Sequence, residues 1–174
     1  MKAAVLEKIT NVNENPTPLS FVELADPVPG RGEILVRVTA CGVCHTELDE
    51  IEGRTPPVAF PFIPGHQIVG VVAGHGPQAG KHPAGLRVGI GWIGLACLQC
   101  SYCLGGLENL CPDFKATGRD IPGGYAQYVT VAEDFAFPVP EVFDDLQAAP
   151  LLCAGAIGWR SLVLAGIKNG EPLG

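Results

Sequence analysis

Cys97-Leu98-Gln99-Cys100-Ser101-Tyr102-Cys103, closed by Cys111, spaces four thiols as C-x2-C-x2-C-x7-C. Thiolates crowded into one loop repel each other unless a divalent cation neutralises them. Zinc accepts four sulfurs tetrahedrally at about 2.3 Å. Two rival readings fit less well. Three cysteines in a row at that interval leave an odd sulfur for a disulfide network, and nothing marks a secreted chain. The iron–sulfur run C-x2-C-x2-C-x3-C-P shares the Cys111-Pro112 ending, but its last gap is three residues where this chain has seven. A zinc site closed by four thiolates holds a loop in place and does no chemistry of its own.

Chemistry must come from elsewhere. Three further cysteines stand at 41, 44 and 153. Two segments carry histidines near them in type: Cys41-Gly42-Val43-Cys44-His45-Thr46-Glu47-Leu48-Asp49 and Ile63-Pro64-Gly65-His66-Gln67-Ile68-Val69-Gly70. A Cys, a His and a second Cys drawn from distant parts of a chain make the three-ligand, open-position arrangement of a catalytic zinc.

Composition sets the frame. Gly (23) and Pro (16) exceed average usage without a collagen period, while hydrophobic content is 47%, so the chain turns often and still buries a core. Charged residues are only 17%, which predicts a surface partly covered by another domain or subunit. The net charge of −7 with 11 scattered Lys and Arg excludes a nucleic-acid surface. Met1 to Glu7 is too short and too soon charged for a signal peptide, so a cytoplasmic protein is expected. The run from Ala148 to Ile167 has the length of a membrane span, but Pro150, Gly155 and Gly158 interrupt it. Arg160 would cost about 2.5–3.5 kcal/mol in a bilayer. The run reads instead as a buried amphipathic helix, with no membrane partner.

Strands are predicted at 2–8, 21–24, 34–40, 67–72, 87–91 and 125–131, each apolar or alternating and bounded by Pro or Gly. A short helix is predicted at 45–52, and helices at 144–149 and 151–167 flank Pro150, with Asn169-Gly170 as a stop. Many short strands with few helices predict a mainly β fold, a partly closed antiparallel barrel. Gly89-Ile90-Gly91-Trp92-Ile93-Gly94 satisfies G-x-G-x-x-G, but a cysteine lobe follows it where a phosphate-binding helix is required, so it is rejected as a dinucleotide fingerprint.

Several segments together carry a specific resemblance: C-G-V-C-H-T at 41–46, P-G-H at 64–66, R-V-G at 87–89, the four-cysteine lobe, G-G-Y-A at 123–126 and A-A-P-L-L-C-A-G at 148–155. In this order and spacing the chain resembles the N-terminal catalytic part of zinc-dependent alcohol dehydrogenases, within the medium-chain dehydrogenase/reductase group. The resemblance implies a GroES-like fold. It implies a catalytic domain over 1–143 with a structural zinc lobe at 94–113, and a helical connection at 144–174 leading toward a Rossmann domain that begins in the family shortly after this sequence stops. It implies two zinc ions per chain. Cys44, His66 and Cys153 would bind the catalytic one, and Cys97, Cys100, Cys103 and Cys111 the structural one. Cys41 is left as a buried strand cysteine.

The activity implied is interconversion of small primary or secondary alcohols with aldehydes or ketones, by hydride transfer to NAD or NADP held in the other domain. The metal would serve as Lewis acid. Without a domain or complementary fragment to hold the nucleotide, the chain alone is expected not to turn over. A homo-oligomer is expected of the complete enzyme. Thr46 matches the hydroxyl that hands on the alcohol proton, His45 a position facing the cofactor pyrophosphate, and Glu47 the acidic residue that orients the ligand histidine. Two positions depart from the family pattern. Gln67 replaces a Glu that many members carry beside the ligand histidine, removing a charge near the metal. Asp49 stands where many members end a proton relay in histidine, and an unperturbed Asp titrates near 4.

The remaining features are bland. His75 and His82 lie in a turn-rich loop and are expected to face solvent. Trp92 and Phe60 are candidates for a pocket wall, although aromatic residues beside strands are more often core. Two other classes remain in contention: a stand-alone zinc-binding interaction module, and the zinc-free quinone reductase branch, which seven cysteines oppose.

Overall fold

The structure, a computed structural model, describes residues 1–171. Residues 172–174, where the expected connection ends, lie outside the described residues. The chain forms nine strands among them, all in antiparallel pairs. The central sheet has the order β8-β3-β4-β5-β9, built from β3 (Glu33–Gly42), β4 (Gln67–His75), β5 (Arg87–Ile90), β8 (Tyr128–Ala132) and β9 (Ala136–Pro138). A ribbon of β1 (Lys2–Leu6) and β2 (Leu19–Glu23) and a small pair of β6 (Ile93–Leu95) and β7 (Lys115–Ala116) complete it.

Period-two alternation explains which face is buried. Ile34 and Val36 of β3 and Val129 and Val131 of β8 point into one core with Ile68, Val72, Val88 and Ile90. Each such side chain contributes about 1.5–3 kcal/mol relative to exposure. The sheets do not close into a ring. Isolated bridges Ala3↔Ala126 and Leu6↔Phe62 tie the ribbon to the rest, so the partly closed mainly β architecture expected from sequence is what forms. Two register irregularities, at Leu35/Val36 and Val38/Ala40, interrupt the β3–β4 ladder. Such bulges bend a strand, here just before it delivers Gly42 to the loop carrying Cys44.

Three strands escaped the sequence reading. β6 and β7 are three and two residues long and flank the cysteine lobe. β9 ends in Pro138, and a proline demotes a run unless it lies at a sheet edge, which is where β9 sits. The glycine run 89–94 joins β5 to β6 rather than a strand to a helix, in agreement with its rejection as a nucleotide fingerprint.

The helices are α1 (His45–Ile51), α2 (Ser101–Leu104), α3 (Asp145–Pro150) and α4 (Ala156–Ala165). Asp144 caps α3, accepting the Gln147 N–H at 2.7 Å while Gln147 Oε1 accepts the Asp144 N–H at 3.2 Å, a reciprocal box. Between α3 and α4 the helix widens into one π-helical turn, Leu151–Gly155. Pro150 has no N–H to donate one turn back, and a widened turn is one way to absorb that loss. The helix stops at Gly166, left-handed with φ 67°, three residues before the predicted Asn169-Gly170 stop, because glycine adopts this terminating conformation without a Cβ clash.

The expectation of a buried amphipathic helix is overturned. Only the first half packs inward, through Ala148 and Ala149, with Leu152 partly buried, against Ala40 and Val69. From α4 no residue is buried, and Ile157, Trp159 and Leu164 are more than 60% exposed. By length and composition the span Asp145–Ala165 passes as a membrane helix, but it carries Pro150 and a charged Arg160. The segment thus leaves a run of large apolar side chains exposed, more than single scattered surface residues would explain.

Candidate functional site

The cysteine lobe hangs between β6 and β7. Its sulfurs stand 3.5 Å (Cys97–Cys111), 3.6 Å (Cys100–Cys103) and 3.9 Å (Cys97–Cys103) apart. A disulfide requires about 2.05 Å, and all seven cysteines are free. A tetrahedron of sulfurs about 2.3 Å from a central zinc has edges of about 3.8 Å, which these separations approach. The protein environment treats the thiols unequally. Backbone N–H groups of Gln99 and Cys100 lower Cys97 to about 7, whereas burial first, then neighbouring sulfurs, push Cys103 up to about 12. Four thiolates at neutral pH therefore need a cation to hold them. Cys103 and Cys111 are part of the main hydrophobic core, so the lobe is fastened to the sheet it decorates.

A second cluster forms from far-separated residues. The ligand atoms of Cys44, His66 and Cys153 lie within 4.8 Å of one another, and the Cys44 and Cys153 sulfurs are 3.8 Å apart. Cys44 is the residue before α1, His66 precedes β4, and Cys153 sits in the π-helical turn. Gly65 sets the His66 backbone. Its φ is +99°, and a Cβ there would stand 2.7 Å from Tyr125 and 2.9 Å from the Cys41 sulfur, so both conformation and space demand glycine.

Glu47 ties two of the three together. Its Oε2 accepts the Cys44 N–H at 2.6 Å, and its Oε1 lies 2.7 Å from His66 Nδ1. Both side chains are at most 2% exposed. Neither His66 nitrogen makes a hydrogen bond of good geometry among the described residues, but Nδ1 lies against the Glu47 carboxylate, whereas Nε2 is buried with no acidic partner beside it. An orphaned imidazole nitrogen beside two thiols, its other nitrogen on a carboxylate, is the donor arrangement of a ligating histidine. Two thiols and one imidazole, with no fourth protein ligand grouped with them among the described residues, fit a zinc ion with an open position. Burial holds the Cys153 thiol above its ordinary value, reinforced by Cys44 and opposed by the Gln67 side chain. Gln67 is itself buried like His66.

The other sequence-selected residues fall into two groups. Thr46 reaches the cluster, its Oγ1 3.7 Å from the Cys44 sulfur. Asp49 does not: it pairs with the Arg54 guanidinium, and its contact to His45 Nε2 is 3.7 Å. His45 is 76% exposed. Cys41 is half-buried, and burial raises its thiol to about 12, consistent with an inert strand cysteine. His82 corrects an expectation: instead of facing solvent it is buried, with Nε2 2.9 Å from the Glu133 carbonyl, while His75 Nε2 lies 2.6 Å from the His82 carbonyl. The loop packs as a lock, a role its Gly and Pro content concealed. Phe60 lines a cavity with Val5, Val22, Leu24 and Phe62 that none of the cluster residues borders. Trp92 meets the His66 ring edge-to-face, with centroids 5.0 Å apart.

Sequence reasoning missed Glu50. It is fully buried, and neither carboxylate oxygen has a hydrogen-bond partner among the described residues. Burial first, then the charge of Glu47, raises it to about 8, against the attraction of Arg119. Its spacing from Glu47, one helical turn on, was the available signal.

Comparison with known proteins identifies the family. The family profile described as Alcohol dehydrogenase GroES-like domain matches residues 30–141. The chain is 41% identical over 172 residues to an alcohol dehydrogenase of Geobacillus stearothermophilus, covering 98% of this chain and 49% of that protein. It is 44% identical over 162 residues to a probable alcohol dehydrogenase, AdhA, of Mycobacterium tuberculosis, covering 90% and 47%. Among solved structures, the cobalt- and zinc-bound thermostable alcohol dehydrogenase from Pyrobaculum aerophilum superposes with a TM-score of 0.88 at 30% identity, over 98% of this chain and 50% of that one. The chain thus spans about half the length of the curated relatives it matches.

Proposed function

The chain belongs to the alcohol dehydrogenase family through its GroES-like domain, and from that premise we propose that it is the metal-carrying catalytic portion of a zinc-dependent alcohol dehydrogenase. The reaction is interconversion of an alcohol with its aldehyde or ketone, with hydride passing to or from NAD or NADP held by another part of the protein. The observation that carries this reading is the convergence of Cys44, His66 and Cys153, with Glu47 bridging the first two.

Zinc at this site would polarise the substrate oxygen as a Lewis acid, and zinc at Cys97, Cys100, Cys103 and Cys111 would be structural. Glu47 holds the His66 ring so that Nε2 is left free for the ion that Cys44 and Cys153 would share. Thr46, next to the Cys44 sulfur, is placed to accept the alcohol's hydroxyl proton while passing its own on, and a bound nicotinamide would supply the hydride chemistry. Asp49 is engaged by Arg54, so the proton path runs from Thr46 to water or cofactor without needing a histidine at 49. His45, exposed beside the cluster, is free to meet the cofactor pyrophosphate. Residues 1–143 form the catalytic domain with its lobe at 94–113, and the helical segment after them leads toward the nucleotide-binding part. The exposed face of α4 is covered there or by a second subunit. The setting is the cytoplasm.

Zinc per chain tests this reading. Two equivalents are expected, falling to one when Cys44 and Cys153 are replaced by Ser. A single equivalent indifferent to those substitutions would sink it. Assayed alone with NAD⁺ or NADP⁺ and simple alcohols, the zinc-loaded chain is expected to give no turnover, since nothing fixes the nicotinamide against the substrate.

A further inference from the structure

Glu47 fixes one nitrogen of His66, and a second contact comes from Trp92, whose ring meets the imidazole at 79° with centroids 5.0 Å apart. Trp92 is half-buried in the turn between β5 and β6, and its carbonyl accepts the Thr117 N–H at 3.0 Å. The Arg119 guanidinium carbon lies 5.3 Å from the Trp92 ring centroid, within cation–π range. Asp120 grips that guanidinium with both oxygens, Nη2 to Oδ2 at 2.7 Å and Nε to Oδ1 at 3.1 Å. Asp120 is itself anchored, accepting the Ala116 N–H at 2.8 Å. The contacts run unbroken from Asp120 through Arg119 and Trp92 to His66.

Glu50 is an independent reason for a cation here. A carboxyl with no exposure and no hydrogen bond is costly unless a positive charge faces it or it holds a proton. Glu47 and Asp120 add negative charge around it, and the cation acting on it is Arg119. Arginine suits this place better than lysine, because a planar guanidinium stacks on a ring and forks onto a carboxylate at once.

We propose that Arg119 is a positioning residue of the metal centre: gripped by Asp120, it holds Trp92 against His66 and so fixes the orientation of that ligand. The inference rests on the reading that Cys44, His66 and Cys153 hold a metal ion.

Cobalt(II) and tryptophan fluorescence test it together. A Trp159→Phe background leaves Trp92 as the sole emitter, since the chain has two tryptophans. The cobalt difference spectrum against Cys44→Ser isolates the open site. Arg119→Leu is expected to shift those cobalt bands, weaken cobalt binding at that site about tenfold, and lower Trp92 anisotropy, with the four-cysteine site unchanged. Arg119→Lys, which keeps charge but loses the fork, recovers part of the loss. In the Arg119→Leu background, Glu50→Gln restores thermal stability without restoring Trp92 anisotropy. Unchanged cobalt bands in Arg119→Leu overturn the proposal, whether or not Trp92 emission moves. Should Arg119→Leu not fold, Asp120→Asn interrogates the same link: a smaller shift of the same sign supports it, and none overturns it. A wild-type cobalt spectrum that ignores Cys44→Ser overturns the metal-site reading itself, an outcome distinct from failure of the Arg119 link.

Discussion

The four-cysteine lobe and the Cys44–His66–Cys153 cluster use the same chemistry and reach it by opposite routes. The lobe draws its sulfurs from residues 97–111, with backbone N–H groups of the same loop already pointing at them. The cluster draws its residues from a helix start, the start of a strand and a π-helical turn, with Cys44 and Cys153 109 positions apart in sequence. One site brings its geometry in its own sequence. The other exists only when the β3–β4 ladder, α1 and α3 are all in place, and it needs Glu47, Trp92 and Arg119 around it. A closed site can be local because it only has to hold. An open site has to leave a position unfilled, and that demands rigid supports from several directions.

The largest effect that would break this comparison is at the lobe. Cys103→Ser with Cys111→Ser should remove one zinc equivalent and loosen the core that both residues share with Val88, Ile90 and Phe135, costing several kcal/mol in thermal or denaturant unfolding. Cys44→Ser with Cys153→Ser should remove the other equivalent at a cost below about 1 kcal/mol. Equal destabilisation by both pairs would show that the open site is structural too.

Next in size is Glu50. Its folded pKa, about 8, lies above the ordinary value of 4.5. Between these values the unfolded chain has released a proton that the folded chain keeps. Stability attributable to this group is therefore full below about pH 4.5 and declines as pH rises toward 8. Glu50→Gln should leave melting unchanged at pH 4.5 and stabilise at pH 8 by about 1–3 kcal/mol, after discounting for screening. An equal effect at both pH values would mean that packing, not charge, sets the cost.

Much of this was legible in the sequence, for physical reasons that differ by residue. The lobe was readable because spacing alone defines it. Cys44, His66 and Cys153 were readable only through a resemblance, since no spacing rule joins residues so far apart. β3 and β8 announced themselves by period-two alternation and β4 by a continuous apolar run, whereas β9 hid behind Pro138 and β6 and β7 were too short for any period. The exposure of α4 was not readable: an apolar helix looks the same in sequence whether its cover comes from its own chain or from another surface. Arg119 was missed because its contacts, to Trp92 and to a buried Glu50 far off in sequence, leave no local pattern, and Glu50 because a carboxylate on a short polar helix reads as a solvent-facing residue.

Glu47 sharpens the comparison at intermediate size. Glu47→Gln keeps the shape and removes the carboxylate from His66 Nδ1, so metal affinity at the open site should fall about 10- to 100-fold. Competition with a chromophoric chelator would read it, the lobe retaining its ion. Loss from both sites in parallel would mean that Glu47 supports the fold and not the ligand.

The smallest expected effect is the most discriminating. Asp144 touches neither site, but its side chain caps the helix whose widened turn carries Cys153. Asp144→Ala frees the Gln147 N–H and frays the start of α3, a loss of about 1 kcal/mol. The lobe shares no element with α3 and should keep its affinity. The open site should lose a few-fold in affinity, because Cys153 then samples positions away from the Cys44 sulfur, 3.8 Å distant in the ordered helix. Chelator competition on the two sites separately would measure this. An open site indifferent to the cap would show that Ala148 and Ala149, packed on Ala40 and Val69, hold the turn unaided, and that the cluster is better insulated from its distant parts than its long-range construction suggests.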